Sequence, residues 1–159
     1  MADDGRVPLT PAGLARLEAE LKKFKDERPI IINAIGEARA QGDLSENAEY
    51  HAARERHGII EANVRKLEGI ISAAEVIDPK RFTGPKIRFG ATVTLVDTDR
   101  EDEVVYQIVG DAEADINAGL ISVMAPLGRA LIGKEEGDEV EFKAPAGIRR
   151  FEVVKVEYK

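Results

Sequence analysis

The chain has 159 residues, 30 acidic and 23 basic, for a net charge of −7; that balance excludes a protein that coats nucleic acid by bulk electrostatics, so any nucleic-acid contact must be local. The length suits one or two small domains with a real core. Cysteine is absent, which removes disulfides and thiolate metal sites; the N-terminal residues are acidic with no apolar signal core, and no run approaches the roughly 18 apolar residues of a bilayer span, so a cytoplasmic protein without a membrane partner is expected.

Thr10 followed by Pro11 predicts a helix start: the threonine can cap, and a proline at the first helical position gives up an amide hydrogen that would lack a partner anyway. From there Leu14, Leu17, Leu21, Phe24, Arg28, Ile31, Ile35 and Ala38 recur in alternating steps of three and four, the a/d rhythm of a coiled-coil helix running to about Gln41. Pro29 falls at an outward b position, where it can bend the helix without breaking the seam. Gly42 suits the left-handed residue that ends a helix. Beyond it Tyr50, Ala53, His57, Ile60, Val64, Leu67, Ile71 and Ala74 take up the same rhythm, mirrored about Leu44. The two seams predict an antiparallel coiled-coil hairpin over residues 1–78, with its tip at 42–47 and a seam roughly 36 Å long. Asp43 or Ser45 is expected to cap the second helix, with Glu46 and Glu49 near its positive end.

Arg28 and His57 occupy a positions of the seam and read as polar register devices. A metal role for His57 lacks a second imidazole, since His51 falls outward. Arg39 and Arg54 both fall at e and are expected side by side near the tip, while Lys25 faces Glu68 in an ordinary surface ion pair. Like charges repel, so stability does not account for the arginine pair. Either both side chains splay into water, or they form a small anion site that holds a phosphate backbone. Asp43 and Glu46 stand at a helix start with two residues between them; they either cap that helix or converge on one point in front of it. Two carboxylates are too few to hold Mg2+ tightly, because that ion takes near-octahedral oxygens and keeps several waters. The isolated protein is expected to bind metal weakly or not at all, and a rod ending in two acids suits delivery of ligands into a recessed site on another macromolecule.

Ile77, Asp78 and Pro79, then Thr83, Gly84 and Pro85, predict a linker over 79–86. Residues 87–159 change character. Residues 91–96 alternate around Val93 and Leu95, 104–109 are rich in β-branched side chains, and 139–143 and 151–158 alternate again. Turns are expected at 97–102, 135–138 and 145–147, with one short helix from Pro126 through Leu131 to Gly133. The fold class is α+β, a helical hairpin followed by a small antiparallel β-sheet domain.

Residues 38–55, ARAQGDLSENAEYHAARE, closely resemble the tip of the bacterial Gre transcript cleavage factors, the GreA branch in particular. IVGD at 108–111, LISV at 120–123, RALIGK at 129–134 and VVKVEY at 153–158 are similar to the same family, and the resemblance runs from about Leu9 to Tyr158. It implies an FKBP-like C-terminal domain that docks on bacterial RNA polymerase at the rim of the secondary channel while the coiled coil enters the channel. Asp43 and Glu46 match the family's acidic tip pair, which implies joint binding of a second Mg2+ with the polymerase and positioning of the attacking water. The implied activity is stimulation of the polymerase's own hydrolysis of backtracked RNA near its 3′ end, a two-metal displacement that rescues arrested complexes. On that reading the protein is not itself an enzyme.

Arg39 and Arg54 match the family's basic patch, which contacts the extruded RNA; the small patch resembles GreA more than GreB. Asp111, Asp115, Ser122 and Pro126 match the polymerase-facing surface. The chain departs from the family in carrying Met124 and Ala125 before that proline in place of a polar pair, which removes a cap hydroxyl from the short helix. A monomer is expected. The alternative is a non-cleaving channel regulator or coiled-coil adaptor, against which the acidic pair argues, since a plug needs no convergent carboxylates. A self-sufficient metal nuclease lacks ligands, and a prolyl isomerase lacks a tryptophan to line its pocket.

Overall fold

The computed structural model describes residues 5–42 and 47–159; Asp43, Leu44, Ser45 and Glu46 lie outside the described residues. The chain divides into two compact units, one of Ala15–Ala73 and one joining the residues up to Leu14 with Ala74–Lys159. The division differs from the expected boundary at 78, and the reason is a pairing between distant segments. Strand β1 (Val7–Leu9) runs parallel to β2 (Ala74–Val76), with Val7 opposite Ala74 and Leu9 opposite Val76. A parallel pair this short has no alternation long enough to register in sequence.

Helix α1 (Pro11–Arg39) has 29 residues, about 43 Å at 1.5 Å per residue. Helix α2 (Ala48–Ser72) has 25 and stops short of Ala74, which is drawn into β2. Leu17, Ala38, Ala53, Ile60, Val64 and Leu67 of the predicted seam are buried, and its remaining helical members are half-buried. Pro29 is exposed and α1 continues through it, because an outward proline leaves the packed face intact. Cross-helix pairs run antiparallel. Lys25 Nζ lies 3.9 Å from Glu68, as expected, while Arg28 donates to both oxygens of Glu61 at 2.6 and 3.1 Å. Arg56 grips Glu27 in the same two-pronged way at 2.6 and 2.7 Å. Glu61 also stands 3.6 Å from His57 Nε2, so the polar seam positions share one carboxylate rather than pointing into apolar side chains.

The other unit is built on a five-stranded sheet in the order β5-β4-β3-β7-β6, from β3 (Thr92–Asp97), β4 (Glu103–Val109), β5 (Leu120–Ser122), β6 (Glu139–Ala144) and β7 (Gly147–Glu157). β3 pairs antiparallel with β4 and β7, and β6 with β7. The expected antiparallel sheet has one difference: the short edge strand β5 runs parallel to β4, which makes the sheet mixed. Period-2 burial on β3 points Val93 and Leu95 inward, where they meet Ile108, Val140, Phe151 and Val153. Helix α3 (Pro126–Leu131) seals this core with Leu131.

α3 starts at Pro126 although Ala125 offers no cap side chain. Ser122 takes over upstream, accepting from Met124 N–H on its hydroxyl and from Ala125 N–H on its carbonyl, each at 3.0 Å. The first residues of the expected linker are not free chain either: Pro79 is buried, and Asp78 caps a 3₁₀ turn over Pro79–Arg81 by accepting from Lys80 N–H at 3.0 Å.

The root of α1 is held by a carboxylate from far along the chain. Thr10 caps α1 as predicted, its hydroxyl accepting from Gly13 N–H at 3.1 Å. Glu113, 2 % exposed, accepts from Thr10 N–H at 2.8 Å, from the Thr10 hydroxyl, and from Gly110 N–H at 3.2 Å. Glycine is required at two of these positions. A methyl on Gly13 would run into the Glu113 carboxylate, and one on Gly110 into the Pro8 carbonyl.

Candidate functional site

At the tip, the turn is closed by a residue with partners on both sides of it. Asn47 precedes α2, donates from Nδ2 to the Ala38 carbonyl at 2.8 Å, and accepts on Oδ1 from Tyr50 N–H at 3.0 Å. It is the cap of α2; the cap expected at Asp43 or Ser45 falls instead here, because an N-cap side chain must reach the N–H two or three residues on. Ala38 and Ala53, both buried, are small enough to let the helices approach behind it. Gly42 has φ of 114°, a backbone setting open to glycine, as its place at the end of α1 demands.

Arg39 leaves the last turn of α1 and Arg54 the first turns of α2, where Arg54 reaches the Tyr50 phenol. Arg54 Nη1 donates to Tyr50 Oη at 3.2 Å, with its guanidinium carbon 5.9 Å from the ring centre. The Tyr50 hydroxyl is held below the usual phenol pKa, first by the influence of Arg39; burial opposes the shift, and the charge and hydrogen bond of Arg54 add to it. His51 stacks edge-on against the same ring at 5.5 Å. The two arginines are exposed.

A second cluster gathers on the sheet unit where β5, α3 and two 3₁₀ turns, Asp111–Glu113 and Ile116–Ala118, pack together. Ser122 Oγ donates to Asp111 Oδ1 at 2.8 Å, fixing the acidic turn against β5. Asp115 Oδ1 accepts from Asn117 N–H at 3.1 Å. Pro126 borders an apolar hollow of about 310 Å³ walled by Tyr106, Ile121, Leu127, Phe142 and Phe151. Ile116 and Met124 stand exposed nearby, at 59 and 57 %. Among the described residues no group of three or more His, Cys, Asp or Glu side chains could hold a metal, and no helix is long and apolar enough to cross a membrane.

Residues 7–76 match the family model "Transcription elongation factor, N-terminal", and residues 83–158 match "Transcription elongation factor, GreA/GreB, C-term". The chain belongs to the GreA/GreB family of transcription elongation factors. It is 58 % identical over 155 residues to transcription elongation factor GreA of Hyphomonas neptunium, covering 97 % of this chain and 99 % of that one. Against GreA of Ruegeria pomeroyi the identity is 55 % over 154 residues, 96 % of this chain and 98 % of the other. Among solved structures, GreA factor homolog 1 of Thermus thermophilus aligns at 30 % identity and a TM-score of 0.44, over 96 % of this chain and 99 % of its own. A GreA/GreB factor from Nitrosomonas europaea aligns at 22 % identity and a TM-score of 0.43, over 96 % and 100 %.

Within this GreA/GreB chain the structure exposes Arg39 and Arg54 at the tip and hydrogen-bonds Arg54 to Tyr50. It joins Asp111 to Ser122, and sets Pro126 in the wall of the hollow. It turns Asp115 to its own loop. Asp43 and Glu46 lie outside the described residues. Sequence reasoning missed Asn47, Tyr50 as the partner of Arg54, and the hollow itself. Asn47 did carry a signal, since asparagine followed three residues later by the first seam position is a cap pattern. The hollow carried none, because its walls come from four separate strands and a helix.

Proposed function

We propose that this transcription elongation factor docks on bacterial RNA polymerase by the surface around Asp111, Ser122 and Pro126. Its hairpin tip then enters the secondary channel to stimulate hydrolytic cleavage of backtracked RNA near the 3′ end. The observation that carries the proposal is the pair of exposed arginines at the tip, Arg39 at the end of α1 and Arg54 near the start of α2 with its guanidinium on Tyr50 Oη, flanking in sequence the Asp43 and Glu46 pair. Two exposed cations at the tip suit a phosphate backbone arriving at that end of the rod. Membership of the GreA/GreB family over nearly the whole chain supports the same reading.

The donor set fits magnesium shared with a partner. Asp43 and Glu46 offer the carboxylate oxygens that ion takes, and they leave an octahedral site dependent on further ligands, so the two side chains would hold it together with carboxylates of the polymerase. Bound there, magnesium would supply an acidified water and charge neutralisation at the phosphoryl oxygens. The chain's own residues orient and bind: the tip acids accept hydrogen bonds from the attacking water, and Arg39 and Arg54 hold the extruded strand. The protein lends side chains to an active site it does not itself complete.

A cleavage assay on stalled, backtracked elongation complexes, with and without the protein and across Mg2+ concentrations, tests this. Asp43→Ala and Glu46→Ala are expected to abolish stimulated cleavage while polymerase binding persists. Loss of binding in those variants would move the acids from chemistry to docking. A wild-type protein that binds and stimulates nothing would be a non-cleaving channel regulator.

A further inference from the structure

The hollow on the sheet unit is apolar in its walls and cationic at its rim. Ile121, Phe142 and Phe151 line it together with Lys143 and Arg149, and among the described residues no acid does. Lys143 is exposed. Arg149 is held from two sides. Its Nη2 donates to Asp97 Oδ2 at 2.7 Å, and its guanidinium carbon lies 5.0 Å from the centre of the Phe151 ring, which stacks on Phe142 at 5.8 Å. The Asp97 side chain is 4 % exposed and also accepts from the N–H groups of Asp99 and Arg100 at 2.9 and 3.1 Å, so the carboxylate is fixed by its own turn. The Arg149 side chain stays 39 % exposed, and the pair with Asp97 does not consume it. A guanidinium is a planar fork of several N–H donors, and only the Nη2 corner is spent on Asp97. A fork ordered in advance loses little side-chain entropy when a second carboxylate meets it.

We propose that Arg149, held in place by Asp97, is a docking residue that takes a carboxylate of RNA polymerase beside an apolar polymerase side chain seated in the hollow. The inference deepens the docking surface proposed above and rests on it. The hollow is continuous with that surface: Pro126 is in its wall, and Ile121, also in the wall, directly precedes Ser122 on β5. Its volume of about 310 Å³ lies near the lower end of the roughly 300–1,000 Å³ that ligand pockets span, room for an anchoring side chain. Charge sets the sign of the partner. In a chain of net charge −7, two cations at one apolar mouth repel lysine and arginine and select an acid. An RNA phosphate would satisfy the cations and leave the apolar walls uncovered, whereas a protein segment carrying an acid next to an apolar side chain satisfies both.

The test measures binding of the full-length protein to RNA polymerase core enzyme by fluorescence anisotropy, from low to high salt. Arg149→Met keeps an unbranched stem over Phe151 and removes the fork. It leaves the Asp97 charge buried without its partner, so Asp97→Asn combined with Arg149→Met accompanies it; the asparagine oxygen still accepts from the Asp99 and Arg100 N–H groups. Both variants are expected to raise Kd about tenfold at low salt, and the gap from wild type should narrow as salt rises. Arg149→Lys, a charge without the fork, should recover only part of the loss. An arginine with a merely structural role would lower the melting temperature and leave Kd unmoved, and that result overturns this inference alone. So does a loss of affinity that salt does not alter, or weakened binding to single-stranded RNA with polymerase binding intact. Wild-type protein that fails to bind polymerase would overturn the proposed function and this inference together.

Discussion

Truncating Glu113 to alanine should destabilise the protein by about 3–5 kcal/mol. The carboxylate is 2 % exposed, and Thr10, whose N–H and hydroxyl it accepts, is 4 % exposed. Gly110 N–H donates to the same carboxylate at 3.2 Å. An unpaired buried donor costs about 1–3 kcal/mol, and donors sharing one acceptor lose less together than the sum of separate losses. The Thr10 hydroxyl also caps α1 through Gly13 N–H, so disturbing its orientation puts about 1 kcal/mol of helix capping at risk. Water entering the vacated space sets the lower bound.

Urea unfolding followed by circular dichroism measures the loss. With a slope of about 2 kcal/mol per molar, the midpoint should fall by roughly 2 M with the slope unchanged. Glu113→Gln separates hydrogen bonding from shape. Its amide oxygen can still accept from Thr10 N–H and Gly110 N–H, and its amide nitrogen can donate to the Thr10 hydroxyl, so it should lose about 1 kcal/mol. An alanine variant within about 0.5 kcal/mol of wild type would refute the reasoning, because surface side chains behave that way. A glutamine variant as damaged as the alanine one would also refute it.

Acid stability should depend on Asp97. Arg149 donates to its carboxylate at 2.7 Å and holds its pKa below the ordinary value; burial opposes that shift, and the N–H groups of Arg100 and Asp99 reinforce it. A depressed carboxylate binds fewer protons folded than unfolded, so its contribution is complete above about pH 5 and drains away as pH falls below about 4; thermal melts across that range should show a shallower acid limb for Asp97→Asn. In the hairpin, Arg28→Ala should cost about 1–2 kcal/mol, because it breaks a two-pronged, half-exposed pair with Glu61. Lys25→Ala should cost a few tenths, given a 3.9 Å separation and exposed partners; equal midpoint shifts in urea would contradict the distinction. Ultraviolet titration should show Tyr50 ionising below the ordinary phenol value of about 10 and Tyr158 above it, the latter raised by burial. Arg39→Ala should return Tyr50 toward that value, and an unmoved titration would contradict that influence.

The hairpin was legible because its evidence is repeated. Each predicted seam member from Leu14 to Ile71 is buried or half-buried, and an error at one position leaves the period standing. Thr10 as a cap, the exposed Pro29 and the Lys25 to Glu68 pair followed from the same register. The alternation of β3 and the Pro126 helix start were equally local. The acidic segment of residues 111–115 shows where such reading ends. Its acids look alike as a string, yet Asp111 reaches Ser122, Asp115 caps its own turn, and Glu113 is buried against the root of α1.

Spacing along the chain determined the two long helices, their antiparallel register and most of the strands, because a hydrophobic period sums many weak preferences within one continuous element. Only the tertiary structure decided that β1 pairs with β2, that β5 runs parallel to β4, and that Arg54 takes the oxygen of Tyr50. Those are choices made by single polar groups or by strands of three residues. A lone donor takes whichever acceptor the packed elements bring within about 3 Å, and that distance exists only after they have packed.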